Sequence, residues 1–340
     1  MRLRRALAVA ALTAIVGIPR LAGQTPDSPF YVDAARYFQG DLELRQLAAP
    51  YAYRFLEPLL VAQIPAGDIV VRFAILNLGC TILAHLLWIP YLCRLFRDDR
   101  DVNVGLLLAI LSFPALDYSS RVLTDPIGFL AVTLATLLIL AERDLAASAV
   151  VSVGVLARDS VILMSGVMLL DAALAAAWSA GRPRFPKAIV AATLPIAVFV
   201  AVRWHLSDLP VFTGTPSWHQ LADNLSDPLR WLRILLTIGP LGLLLCGRRH
   251  RGVLTAFTVR QSCLLVASVA IGALFNIYSV AAFFMSARYL WPVYLGLVPL
   301  AVAAGRETTV YQHRLVPLAD AVFGTPKSDA QAAALESTAA

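Results

Sequence analysis

Apolar runs long enough to cross a bilayer recur along the whole chain. Roughly 17–25 such residues span about 30 Å of hydrocarbon as a helix, and about ten stretches qualify or come close. They cover residues 6–22, 70–93, 103–118, 126–141, 145–157, 160–178, 187–204, 230–246, 261–284 and 288–304. The fifth is short and runs straight into Arg158 and Asp159, which suits a half-span ending near the interface. The stretch 55–65 is apolar but too short to cross, and fits an interfacial segment. The runs are continuous and do not alternate with a period of two, so a β-barrel is excluded. Of the 340 residues 59% are hydrophobic and 15% charged, against about 25% charged in a soluble domain. An all-α, polytopic membrane protein of about ten spans is the fold class this pattern predicts.

Basic residues favour cytoplasmic loops and so set the direction. Arg2, Arg4 and Arg5 precede the first run. Counting alternately, the inside segments carry Arg94, Arg97 and Arg100, then Arg143, then Arg182, Arg184 and Lys187. They continue with Arg248, Arg249, Arg251 and Arg260, and end with Arg306, Arg314 and Lys327. Both termini are therefore expected in the cytoplasm, with the formal charge of +6 read as a topology signal. A nucleic-acid partner would need a soluble basic face, and the sequence shows none. The basic start, the apolar stretch to Ile18 and the small residues Ala22 and Gly23 also describe a signal peptide. On either reading residues 24–66 emerge on the far side. The near-exclusive use of arginine, with Lys187 and Lys327 the only lysines, and the abundance of alanine point to a GC-rich bacterial genome, so a bacterial plasma membrane is the expected location.

Charges on the far side are few and therefore informative. The first external loop, residues 24–66, holds Asp27, Asp33, Asp41, Glu43 and Glu57 beside Arg36, Arg45 and Arg54, interleaved with tyrosines and phenylalanines. Asp33, Arg36 and Tyr37 fall at helical spacing and can share one face of an interfacial helix. In DYSSRVLTDPIGF, residues 117–129, Thr124 or Asp125 can cap the helix that Pro126 opens; the cap accounts less well for Arg121, a cation held at the same interface. Arg158 and Asp159 interrupt apolar sequence, where ionisable groups normally face a cavity or each other. Arg288 and Tyr289 stand at the mouth of the last run, where snorkelling to the interface is the simple account. The loop 205–229 carries His205 and His219 without zinc-ligand spacing, and Asn224-Leu225-Ser226 forms a weak glycosylation sequon. Cys80, Cys93, Cys246 and Cys263 read as apolar packing residues.

Four segments in order resemble the polytopic glycosyltransferases of the GT-C superfamily, which use polyprenyl-phosphate sugars. YVDAARYFQGDL resembles the first-loop aspartate motif, and PYAYRFLEPLL the Tyr/Arg-rich approach to the second span. LTDPIGFLAVTLA is similar to the acid-Pro start of the fourth span. LARDSVILM and ARYLWPVYLGLVPLA resemble the later Arg-acid turn and Arg-Tyr-x-x-Pro span. The resemblance implies transfer of a sugar from a polyprenyl phosphate or pyrophosphate to an extracytoplasmic glycan, lipid or protein. It gives Asp33 the role of general base and Arg288, Arg158 and Arg121 that of holding the donor phosphate. Tyr37, Arg54, Asp125, Asp159 and Tyr289 would shape the pocket. It allows a divalent cation, Mg2+ or Mn2+, as cofactor and requires no dedicated metal site.

Residues 1–305 are thus expected to form one transmembrane domain, and 306–340 a loose cytoplasmic tail. The rival classes are a multi-pass transporter or flippase and a non-catalytic subunit of the same fold. Transporters tend to carry internal repeats and charges at the bilayer midplane. Here no repeat is visible, and the ionisable residues gather at span ends on one side.

Overall fold

The computed structural model describes residues 2–65, 67–178, 185–211, 216–246, 252–283 and 286–325. Arg182, Arg184, Arg248, Arg249, Arg251 and Lys327 of the topology argument, and the tail 326–340, lie outside the described residues. Among those described, regular structure is entirely helical. In chain order the helices are α1 (Arg2–Gly17), α2 (Ser28–Gln39), α3 (Leu56–Ala62), α4 (Ile69–Leu95) and α5 (Asp99–Ile110). Next come α6 (Phe113–Tyr118), α7 (Asp125–Leu140), α8 (Asp144–Ala157), α9 (Leu163–Trp178) and α10 (Phe185–His205). The remainder are α11 (Trp218–Ser226), α12 (Pro228–Leu245), α13 (Val259–Ala282), α14 (Tyr294–Gly305) and α15 (Val316–Phe323).

Six helical stretches are long and apolar enough to cross a membrane: 69–95, 159–178, 185–205, 228–245, 259–282 and 287–305. The chain is therefore a helical, multi-pass membrane protein. The apolar helices α7 and α8 are shorter, with 16 and 14 residues. At ~1.5 Å per residue they reach only about 21–24 Å, short of the roughly 30 Å core. The run 103–118 is not one span but two helices. The chain breaks at Leu111, and Ser112 then caps α6, its hydroxyl accepting from the Ala115 N–H at 3.3 Å. The interfacial segment is α3, about two turns long and packed on α2 and α4.

Exposed isoleucines, leucines and valines cover the outer faces of α10, α12 and the second half of α13, among them Ile189, Val200, Leu235, Leu243 and Ile277. Faces of that kind need a lipid solvent. The interior is aromatic: Phe129 stacks on Trp291 at 4.4 Å, with Trp88 and Tyr91 of α4 alongside. Cys80 and Cys263 are buried, whereas Cys93 and Cys246 are exposed, so packing accounts for only two of the four. The expectation of a loose tail from residue 306 fails over its first half, to Phe323. Tyr311, Ala319 and Phe323 are buried, with α15 packed against α5 and α1. Arg306 and the Tyr311 hydroxyl both bind the Asp101 carboxylate.

The polar contacts between helices gather at two ends of the bundle. Arg94, Glu142, Arg260 and Gln261 meet at one end, where Gln261 donates to the Arg94 carbonyl at 2.6 Å. The other end gathers the loop 18–28, the segment 47–54, the start of α7, the turn after α8 and the turn before α14.

Candidate functional site

At this second end, six separate chain segments bring charged side chains into one buried cluster. The first is the start of α2. Asp27 sits at its N-cap position but makes no cap hydrogen bond, because Ser28 and Thr25 close the turn instead. Ser28 also donates to the Val122 carbonyl at 2.8 Å, tying this loop to the one before α7. The Asp27 carboxylate is thereby free to accept from the Tyr51 hydroxyl at 3.0 Å and to pair with Arg288 at 2.8 Å. Burial pushes its carboxyl up. The Arg288 charge and the bonds from Arg288 and Tyr51 outweigh burial and hold it below the usual carboxylate range. Asp27 is thus ionised at neutral pH.

Asp125 opens α7, and Pro126 follows it at no cost because the first-turn N–H has no helical partner. Asp125 pairs with Arg158 at 3.0 Å, and its second oxygen lies 3.9 Å from Arg288. Gly128, one turn on, makes the first contact feasible. A Cβ there would stand 2.9 Å from the Arg158 Cβ, so only glycine lets Arg158 lie along the first turn of α7. Arg158 also donates to the Thr124 hydroxyl at 3.4 Å.

The third carboxylate, Asp159, takes both Arg54 and Arg203. Arg54 grips it as a fork, Nε at 2.6 Å and Nη2 at 3.4 Å, the charge-assisted geometry that favours arginine over lysine. Its remaining nitrogen donates to the hydroxyl of the buried Tyr31 at 2.6 Å. Burial lowers the proton affinity of Arg54, but Asp159 and Tyr31 more than restore it. Arg203 reaches Asp159 at 2.9 Å and lies 3.4 Å above the Phe199 ring. Tyr51 is driven above the ordinary phenol range by burial and by Asp27, and stays protonated as a donor.

Asp27, Tyr51, Arg54, Arg158, Asp159, Arg203 and Arg288 line a cleft of about 570 Å3 that also takes in Tyr289, Phe275 and Tyr278. A narrow apolar crevice of about 40 Å3 adjoins it between α7, α9 and α13, lined by Val132, Met164 and Ile271. Arg158, Arg288 and Tyr289 border both spaces. The place where cations concentrate is therefore also where an apolar slot begins.

Of the residues singled out from sequence, Arg54, Asp125, Arg158, Asp159, Arg288 and Tyr289 come together here. Asp33, Tyr37 and Arg121 do not. Asp33 is 45% exposed and pairs with Arg36 at 3.6 Å. The buried face of α2 carries Ser28, Tyr31, Ala34 and Ala35, and helical periodicity turns position 33 away from it. Tyr37 packs beside a separate apolar cluster around Leu47, Tyr53 and Leu209. Arg121 folds back on Asp117, donating to its carboxylate at 2.6 Å and its carbonyl at 2.5 Å. Sequence reasoning passed over Asp27, Tyr31, Tyr51 and Arg203 as site residues. A carboxylate just before a Ser-Pro helix start is a usable signal for Asp27. Nothing in the linear pattern distinguishes Arg203 from an ordinary span-end arginine.

Four guanidiniums to three carboxylates is a donor set for an anion. It does not suit Mg2+ or Mn2+, since each carboxylate is already matched by arginine. No three His, Cys, Asp or Glu side chains converge among the described residues. No protein-family model matches the chain, and no curated protein is similar to it.

Proposed function

We propose that the chain is a membrane glycosyltransferase of the GT-C type, transferring a sugar from a polyprenyl phosphate or pyrophosphate to an extracytoplasmic acceptor. The observation that carries this reading is the pair Arg158 and Arg288. Both are buried, both share Asp125, and both stand where a polar cleft meets an apolar slot. A lipid phosphate joins a charged head to an apolar chain, and this junction offers each part a complement. In the reaction the acceptor oxygen bonds to the sugar C1 while the C1–O bond to phosphate breaks. The acceptor proton passes to a carboxylate, and the new negative charge on the leaving phosphate meets the guanidiniums. Geometry favours Asp27 over Asp33 as that carboxylate, because Asp27 is ionised and lines the cleft.

The reading includes a topology. With α1, α5 and α6, α7 and α8 counted as membrane-embedded, the crossings number about ten. The termini then lie in the cytoplasm of a bacterial cell, and the cluster faces the periplasm. A reporter fused near Ser217 is expected to be active in the periplasm.

Membranes containing the full chain, supplied with labelled polyprenyl-phosphate sugars, test the chemistry. Asp27→Asn is expected to lower transfer by at least about a hundredfold, the usual worth of a general base, and Asp33→Asn to leave it near wild type. Equal activity in Asp27→Asn removes the assigned base. Movement of the lipid across the bilayer without transfer would favour the flippase class.

A further inference from the structure

Three of the arginines that label one side of the membrane in the sequence share a cavity in the fold. Arg94, Arg97 and Arg100 line a space of about 740 Å3, together with Arg306 from the segment after α14. It lies at the end of the bundle where Gln261 meets Arg94, away from the Asp27–Arg288 cluster. The α4–α5 turn, residues 255–261 and residues 306–316 build it, and each stretch is held by specific contacts. The Asp98 side chain caps α5 by accepting from the Arg100 N–H at 2.9 Å, and the Phe96 ring packs on Phe257 at 5.7 Å. Gln261 donates to the Arg94 carbonyl at 2.6 Å, which joins the turn to α13. Asp101 takes both Arg306, at 2.5 Å, and the Tyr311 hydroxyl, which joins α5 to the segment after the last span. Arg306 also lies 5.3 Å from the centre of the Phe96 ring.

Within this fixed frame the cations have donors to spare. Arg97 and Arg100 are exposed, and neither guanidinium makes a hydrogen bond or ion pair among the described residues. Asp320 of α15 acts on Arg100 without pairing with it. Arg94 reaches a carbonyl of its own helix, that of Pro90, at 3.2 Å. Arg306 spends one nitrogen on Asp101, while its Nε meets no acceptor among the described residues. Four arginines against Asp98 and Asp101 leave the lining at a net charge of +2. Guanidinium forks suit phosphate oxygens above other anions. The rim adds an apolar part. Leu254, Val259 and Val310 are exposed, and each adjoins a lining residue, Thr255, Thr258 or Tyr311. α4 ends and α13 begins beside the cavity, and both are long and apolar enough to cross a membrane.

We propose that this cavity binds the head group of an anionic phospholipid, at a site separate from the Asp27–Arg288 cluster and independent of sugar transfer. Basic pockets between spans at the membrane surface take such head groups. Arginines that only orient a chain serve on any short loop and need neither a cavity nor a rigid turn to carry them. A soluble phosphate has no use for the apolar rim, whereas a phospholipid places its phosphate among the guanidiniums and its chains along the spans. A zwitterionic head group brings no net charge to match the excess of the lining. The same contacts explain why the chain stays folded after α14: Arg306 and Tyr311 complete the wall.

Lipid binding to the full chain in detergent micelles tests this, with bound lipid counted by native mass spectrometry. Phosphatidylglycerol and phosphatidylcholine of identical chains are the probes. Wild type should hold phosphatidylglycerol at least about thirtyfold more tightly, and equal affinity for the two overturns the proposal. Arg97 and Arg100 hold nothing else in place, so the double variant Arg97→Gln/Arg100→Gln should fold as wild type. Its affinity for phosphatidylglycerol should fall by about thirtyfold, to near that for phosphatidylcholine. Unchanged affinity in that variant overturns the site. Arg36→Gln/Arg45→Gln makes the same change in charge on exposed residues of the first loop and should bind as wild type. An equal loss there would show attraction by total charge alone and overturn the site as well. Inorganic phosphate in large excess, at constant ionic strength, should leave the bound lipid in place; complete displacement would make the ligand a soluble anion and overturn the lipid assignment. None of these readouts involves sugar transfer, so the site and the transferase reading stand or fall separately.

Discussion

Asp125→Ala is the substitution that most directly probes how the cluster is held. Asp125 lies 3.0 Å from Arg158 and 3.9 Å from Arg288, and the two arginines are only 5% and 7% exposed. Deleting one partner of a buried pair costs about 3–5 kcal/mol, because the remaining charge is left uncompensated. Arg288 keeps Asp27 at 2.8 Å and Arg158 keeps the Thr124 hydroxyl at 3.4 Å, which places the loss at the lower end of that range. About 3 kcal/mol is a factor of more than a hundred in the folded-to-unfolded ratio. Asp125→Asn retains the shape and an acceptor oxygen, so its cost should be about 1.5–3 kcal/mol, the worth of a charge-assisted hydrogen bond. Asp33→Ala removes a solvent-exposed pair and should cost less than about 1 kcal/mol. Equilibrium unfolding in mixed micelles, read by tryptophan fluorescence, ranks the three. Removing a carboxylate also raises the net charge of the pocket. An anionic probe should therefore protect Asp125→Ala more than wild type, by up to about 2.7 kcal/mol at a hundredfold excess over Kd. An Asp125→Ala protein within about 1 kcal/mol of wild type, or an Asp33→Ala protein equally weakened, would refute this account of the cluster.

Three further outcomes follow from named contacts. Gly128→Ala places a methyl 2.9 Å from the Arg158 Cβ, so Arg158 must move off α7; unfolding should show a loss of about 1–3 kcal/mol, with anion binding weakened in parallel. The folded pKa of Asp27 lies below its ordinary value of 3.8, so the unfolded chain binds more protons in that window. The Asp27 contribution is accordingly complete above about pH 5 and lost as pH falls through the folded value, and Asp27→Asn should flatten the acid limb of the stability curve. Phe323→Ala empties a fully buried ring site where α15 meets α5, and a loss of about 3–5 kcal/mol in the same unfolding assay would show that the segment after the last span is part of the fold.

Span-scale features were legible in the sequence because lipid imposes one simple rule, apolar length, on every crossing. α4, α9, α10, α12 and α13 fall where apolar runs predict them. The break between α5 and α6 was not legible, since Leu111 and Ser112 interrupt hydropathy too little to register; their effect lies in a cap. The charged turns at Asp125, Arg158 and Arg288 stood out because ionisable residues are scarce at span ends. Asp27 and Asp33 could not be ranked by composition, since both sit in one acidic loop. What separates them is the phase of α2, fixed by Tyr31, Ala34 and Ala35 packing inward, and phase depends on where the helix starts. The packed segment 311–323 was hidden for a similar reason, because Phe323 contributes to a core only through its contact with helices 200 residues earlier in the chain.

Stability alone does not account for the cluster. Buried ion pairs roughly break even against apolar residues of the same volume, and a lone excess charge in such a site is a net cost. A bundle end needing only to be sealed would be better served by leucine and phenylalanine, which this chain uses freely everywhere else. Instead, three carboxylates hold four arginines in fixed orientations, with Gly128 cleared for one and aromatic rings placed under another. Two of the carboxylates are shared between arginines: Asp125 between Arg158 and Arg288, Asp159 between Arg54 and Arg203. Sharing keeps the cations close enough to act on one ligand while leaving their combined charge under-neutralised. An incoming anion then gains preorganised donors without first separating them. It must compete with Asp27 for Arg288, and that exchange leaves the Asp27 carboxylate with Tyr51 alone at the edge of the cleft. On the proposed transferase reading, ligand binding and the exposure of a base are coupled through one guanidinium.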